Sequence, residues 1–288
     1  MTATPAKSSA TPPYFAYIDV LGVAAALGVV ALHCNGCFWE GPAQGRSWLS
    51  ANFIETFLYW PVPAFFMISG ATLVGYRERM GTRQYLRRRF DRTVVPWLAW
   101  SLFALAFQAW RCSMLGQPLP ELNPAAIVDG ILNSRYNGIY WFFPPLFACY
   151  LSIPLLAAVA PEGRDGVLRL LAVAGVALVS VAPFICSLAG IPWNGAFAPP
   201  PATGYMLYVL LGCLLSGWKP ERGQRVAVYA LATAGWLAHM LGTLAVSTPE
   251  AGVVGTYKGY LNLPALLQAA GCSSRSATST GRPASHGA

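Results

Sequence analysis

The sequence predicts an all-α integral membrane protein, a bundle of about eight transmembrane helices with a cytoplasmic N-terminus. Three observations predict it. Of the 288 residues, 55% are hydrophobic and only 10% are charged, whereas soluble domains carry about 25% charged residues. Apolar runs near the roughly 20 residues needed to cross a bilayer recur along the chain. The basic residues behind the net charge of +8 are clustered. The segment from Tyr76 to Arg92 holds Arg77, Arg79, Arg83, Arg87, Arg88, Arg89 and Arg92 against only Glu78 and Asp91. Lys and Arg collect in cytoplasmic loops, so this segment lies inside, and two preceding spans put the N-terminus there too.

Residues 1–13, MTATPAKSSATPP, are polar and Pro-containing, with no apolar core or cleavage site. They read as a disordered tail rather than a signal peptide. Residues 14–271 form the membrane domain. The first span covers about 18–38. The second, about 50–75, contains Glu55, and Pro61 and Pro63 should kink or break it. Such breaks are tolerated where neighbours satisfy the freed carbonyls. After the basic loop, further spans fall at about 93–111, 139–160, 167–189, 203–217, 226–247 and 257–271. The outer loop 112–138 has room for a short surface helix around 124–132. In this arrangement the only external cations are Arg46, Arg111, Arg135 and Lys258. Residues 272–288, rich in Ser, Thr, Gly and Arg, have no periodicity and read as a second disordered tail.

Ionisable residues inside a span are costly and point to function. Asp19 opens the first span and His33 closes it, on one three-four face and about 21 Å apart along a helix axis. His33 reads either as a helix-end histidine bonded to a neighbour or as a general base, since a neutral imidazole can take a proton from a hydroxyl. Asp19 is an N-terminal cap or a charge-balancing partner. Glu55 needs a partner at its depth: a polar contact with Asn52 or water, or a catalytic role beside His33. The arginine loop sets topology, and it can also bind anionic head groups or a phosphorylated cofactor through guanidinium forks. No aromatic-basic module accompanies it, which argues against nucleic acid. Tyr140 and Trp141 open the fourth span, as an interfacial aromatic belt or as a wall for a sugar ring. The seven cysteines imply no disulfide framework. Cys34-x-x-Cys37 follows His33 in the wrong order for haem attachment, has no second ligand pair, and predicts no metal site.

The segments YIDVLGVAAALGVVALH at 17–33, PAFFMISG at 63–70, RRRFDRTVVPW at 87–97, YWFFPPLFACYLSIPLL at 140–156 and GYMLYVLLGCLLS at 204–216, in this order, resemble the acyltransferase 3 family of bacterial multi-span membrane O-acyltransferases. The resemblance covers about 14–271. It implies a bacterial inner-membrane enzyme that moves an acetyl or longer acyl group from acetyl-CoA to a carbohydrate hydroxyl, on a surface polysaccharide or its lipid-linked precursor. It implies that His33 is the family's histidine and that Arg89 and Arg92 are its R-x-x-R pair, so Arg88, Arg89 and Arg92 are expected to hold the CoA phosphates. Asp19 and Glu55 are expected to assist His33, and Asn52, Tyr140 and Trp141 to contact the acceptor. Gly22 stands where the family has a basic residue. The family usually has about ten spans, so eight spans and a polar tail read as a C-terminally truncated or frameshifted copy. Two rival readings stay open: a transporter or flippase component, which kinked spans and Glu55 would suit, and an inactive relic of the family.

Overall fold

The computed structural model describes residues 16–277. Helix dominates them, and no strand is present among them. Six helical segments are long and apolar enough to cross a membrane: Tyr17–Glu40, Arg46–Glu78, Thr82–Met114, Gly138–Ala158, Pro161–Leu188 and Arg222–Val246. The other two predicted spans are shorter helices, Met206–Gly217 and Leu263–Ala277. The chain is an all-α multi-span membrane protein.

The first span is α1 (Ala16–His33), followed by the single turn α2 (Cys37–Glu40). The second span is broken as its prolines predict. It consists of α3 (Arg46–Phe57) and α4 (Pro61–Leu73), with Leu58–Trp60 between them. Pro61 has no N–H to offer α3, which frees the carbonyls at the end of that helix. The Gln268 side chain takes them, donating from Nε2 to Thr56 O at 2.9 Å and Phe57 O at 3.1 Å.

The predicted basic loop is largely helix, which corrects the reading of 76–92 as a loop. The helix α5 (Thr82–Arg89) runs through a π-helical turn, Phe90–Val94, into α6 (Val95–Met114). Leu and Arg are good helix formers, and Tyr85 anchors the segment by donating to Tyr150 O at 3.0 Å. The widened turn precedes Pro96, whose missing N–H cannot close the normal ladder. The short helix expected in the long outer loop is α7 (Pro124–Leu132), capped by Asn123, whose side chain accepts from Ala126 N at 2.8 Å.

The remaining elements are α8 (Phe143–Ala158), α9 (Pro161–Gly175), α10 (Ala182–Leu188), α11 (Met206–Gly217), α12 (Arg222–Val246) and α13 (Leu263–Ala277). The expected boundary at Gly271 is therefore corrected, because α13 continues to Ala277. The Ala and Ser residues there extend an already nucleated helix at little cost. Residues 1–13 and the rest of the expected C-terminal tail lie outside the described residues.

The centre of the bundle is the contact between α4 and α11. A side chain at Gly70 would meet the backbone of Val209, and one at Gly212 the backbone of Met67. Small residues let two helices approach this closely inside a membrane, where packing rather than hydrophobicity drives association. The buried core gathers around this contact, with Phe66, Met67, Tyr85, Ile153, Leu207, Tyr208 and Leu210 fully enclosed. By contrast, α1 and α6 expose Val20, Val23, Leu27 and Val30, and Trp100, Phe103, Phe107 and Trp110, as lipid-facing surfaces do.

Candidate active site

Two clefts lie at opposite ends of the bundle. One is at the C-terminal end of α1, around His33. The other runs along α5 and the π-helical turn that follows it.

At the His33 end, α1 stops where the chain reaches Asn35-Gly36. The Asn35 side chain, buried, donates to Ala51 O at 2.8 Å and to Glu55 Oε2 at 3.4 Å, tying this turn to α3. The second Glu55 oxygen, Oε1, pairs with Lys258 Nζ at 2.5 Å. Both side chains are almost wholly enclosed, at 3% and 5% exposed. Lys258 lies on the connection from α12 to α13, outside both helices. Burial pulls its pKa below the ordinary lysine value, and the Glu55 carboxylate opposes that fall. The Lys258 ammonium also lies over three ring faces, those of Phe38 at 4.7 Å, Trp39 at 4.9 Å and Tyr59 at 4.3 Å.

From this cage a ladder of rings extends along the cleft. Tyr59 stacks on Tyr260 at 4.2 Å, and Tyr260 stacks on Trp141 at 5.4 Å. Tyr260 is held in place because Tyr208 of α11 donates its hydroxyl proton to the Tyr260 carbonyl. His33, Trp39, Glu55, Tyr59, Trp141 and Tyr260 line a cavity of about 230 Å³. An adjoining cavity of about 120 Å³ shares His33, Trp141 and Tyr260 and continues to Phe65, Phe142 and Phe143. His33 thus belongs to both cavities, and its side chain is exposed.

At the other end, a cleft of about 530 Å³ is lined by Arg83, Arg87, Arg89, Phe147 and Tyr150 among others. The Arg89 guanidinium lies over the Tyr150 ring at 5.7 Å, and its Nε is buried without a hydrogen-bond partner among the described residues. Arg87 faces Asp91 at 3.8 Å on an exposed surface. Both the arginine cleft and the second His33 cavity touch α8. Phe147 lines the arginine cleft, Phe143 lines the second His33 cavity, and their rings are 6.0 Å apart, one turn from each other.

The expected site residues divide accordingly. His33, Glu55 and Trp141 come together. Asp19 does not join them; it is exposed in the first turn of α1, at the far end of that helix. Asn52 lines neither His33 cavity. It is buried against α12, donating to Met240 O at 3.1 Å, with its Oδ1 unpartnered among the described residues. Tyr140 also lies outside the cavities and packs edge-on to Phe143 at 5.9 Å. Of the three expected arginines, Arg89 alone lines the cleft. Arg88 is exposed and reaches Met80 Sδ at 3.8 Å, and Arg92 is exposed away from the cleft. Cys34 and Cys37 are free thiols.

The sequence reading missed Trp39, Tyr59, Lys258 and Tyr260 at one end and Arg83 and Arg87 as cleft residues at the other. A signal for Lys258 was present: a carboxylate at the depth of Glu55 requires a cation, and few cations fall on that side of the chain. His239 was missed too. It is fully buried with its ring edge-on to Tyr59 at 4.7 Å, and neither of its nitrogens has a partner among the described residues.

A family model described as an acyltransferase domain matches residues 15–277, which include all of the described residues. The chain belongs to the acyltransferase 3 family. No curated protein and no solved structure gives a match. Of its two described clefts, one holds an imidazole and the other is a cationic groove.

Proposed function

We propose that this acyltransferase moves an acetyl or longer acyl group from acetyl-CoA to a carbohydrate hydroxyl, in the inner membrane of a bacterium, with the arginine end facing the cytosol. The observation that carries this reading is the position of His33 in two adjoining cavities, one of them walled by the stacked rings of Tyr59, Tyr260 and Trp141. Aromatic faces suit the apolar face of a sugar ring, and the acceptor would be a surface polysaccharide or its lipid-linked precursor.

The arginine cleft fits the donor. Arg83, Arg87 and Arg89 supply several guanidinium groups for the CoA phosphates, and the unpartnered Arg89 Nε leaves a donor free for one of them. To approach His33 from this cleft, a pantetheine arm would have to pass the packed rings of Phe147 and Phe143. In the reaction, the His33 imidazole accepts the acceptor hydroxyl proton as the oxygen attacks the thioester carbonyl. The C–S bond breaks, the new ester C–O bond remains, and the departing CoA sulfur takes up a proton. Glu55 lines the cavity with its charge paired to Lys258.

A transport reading would need the broken second span to open towards a solute. Its freed carbonyls are bonded to Gln268, which with Phe57 and Trp60 lines a cavity of about 300 Å³ at the break, so the two readings are separated by experiment. The test is thermal stability of the detergent-purified protein with acetyl-CoA, alongside transfer of labelled acetyl to saccharides. Stabilisation and transfer support the enzyme. Stabilisation by a small solute, with none by acetyl-CoA, overturns it.

A further inference from the structure

We infer that Lys258 is a positioning residue for the acceptor: its ammonium, held by Glu55 and the faces of Phe38, Trp39 and Tyr59, fixes the aromatic wall against which the acceptor rests. This inference rests on the transferase reading and adds a residue that acts through others.

The argument starts from cost. An ammonium taken out of water is expensive, and a buried ion pair contributes little net stability compared with apolar side chains of similar size. Here the pair joins residues 203 positions apart, and the cation faces three rings drawn from two distant stretches of chain. Cation–π attraction orients as well as holds, because the charge must sit over the ring face. Two of those rings, Trp39 and Tyr59, line the His33 cavity. Tyr59 carries the order onward through its stack with Tyr260, and Tyr260 through its stack with Trp141.

The connection that bears Lys258 is secured elsewhere without it. Gln44 Nε2 donates to Ser247 O at 2.8 Å, Asn262 Nδ2 donates to Thr256 O at 3.0 Å, and Tyr208 donates to the Tyr260 carbonyl. The ammonium is therefore not needed simply to close this loop. What it adds is the direction of the Trp39 and Tyr59 faces. A site whose walls are held in advance binds better than one that must order them on binding.

The test uses the full-length protein in detergent, with acetyl-CoA as donor and methyl glucoside as the acceptor probe. Four proteins are compared: wild type, Lys258→Arg, Glu55→Gln, and the double variant Glu55→Gln/Lys258→Met, which avoids stranding a buried charge. Between Glu55→Gln and the double variant, the acceptor KM should rise about tenfold or more, on the scale expected for a misplaced binding wall. The KM for acetyl-CoA and the stabilisation it confers should stay put, since the arginine cleft is untouched. Lys258→Arg, which keeps a cation over the rings, should retain most of the wild-type acceptor KM. An unchanged acceptor KM in the double variant overturns the inference alone. So does a double variant in which both KM values and the acetyl-CoA stabilisation deteriorate together, since that marks a general structural role. A wild type that transfers acetyl to no saccharide while His33→Ala behaves identically overturns the transferase reading, and the inference with it.

Discussion

The two ends of this molecule handle charge in opposite ways. At the His33 end, the cation Lys258 is buried, paired with Glu55 and roofed by rings. At the other end, Arg83 and Arg87 are exposed around an open cleft, and only Arg89 is half-enclosed. A buried pair acts at short range, is little affected by salt and holds its neighbours in one geometry. Exposed guanidinium groups act at longer range, and the Debye length of roughly 8 Å at physiological ionic strength screens them. The first arrangement suits fixing a substrate for chemistry, and the second suits collecting an anionic donor from solution.

The largest expected effect falls on chemistry at the His33 end. His33→Ala removes the proton acceptor and should lower kcat by about 10²–10⁴-fold, the usual contribution of general base catalysis. Stabilisation by acetyl-CoA should survive, because the cleft proposed for the donor is lined by other residues. A His33→Ala enzyme with wild-type kcat would assign proton removal to another group.

Next in size is a stability effect at the same end. Glu55→Ala leaves the Lys258 ammonium enclosed and unpaired, and breaking one partner of a buried pair costs about 3–5 kcal/mol. The measurement is the midpoint of thermal unfolding in detergent. A midpoint unmoved from wild type would show that Lys258 reaches water and that this end is less enclosed than its 5% exposure indicates.

At the arginine end the effects should be smaller and should fall on binding. Arg89→Ala is expected to raise the KM for acetyl-CoA by about tenfold, the size of one charge-assisted hydrogen-bond contribution, with kcat at saturation near wild type. Arg88→Ala and Arg92→Ala, at exposed positions outside the cleft, should change KM less. Raising the salt concentration should weaken acetyl-CoA binding and leave the acceptor KM nearly constant. Equal salt sensitivity of both would erase the distinction between the two ends.

This contrast also explains what could be read from the chain. The spans, the proline break and the position of His33 follow from local signals: apolar length, a missing N–H and an ionisable residue in an apolar run. Helix α5 was read as a loop because its arginines dominate its composition, although Leu86 and Tyr85 sit where a helix continues. The cleft arginines depend on which side of that helix faces α8, and the π turn before Pro96 shifts the register in a way that an R-x-x-R spacing does not convey. The Lys258 cage brings together residues from α2, the break in the second span and the last connection. Such partners are set by tertiary packing, and sequence supplies only the need for a cation near Glu55. Asn52 and Tyr140 have plausible composition and depth, but the faces they occupy turn them towards α12 and Phe143.

Asp19 provides the finest test of the division. It shares a helical face with His33 by spacing, yet the helix separates the two by about 21 Å. Its carboxylate sits in the first turn of α1, where a negative charge meets the positive end of the helix dipole, a contribution of about 0.3–1 kcal/mol. Asp19→Asn should therefore lower the unfolding midpoint slightly and change kcat by less than about twofold, equivalent to under roughly 0.4 kcal/mol at the transition state. The measurement is kcat and both KM values beside the unfolding midpoint. A tenfold fall in kcat with unchanged stability would mean that the reacting thioester lies close to Asp19, so that chemistry occurs at the N-terminal end of α1 rather than at the His33 end.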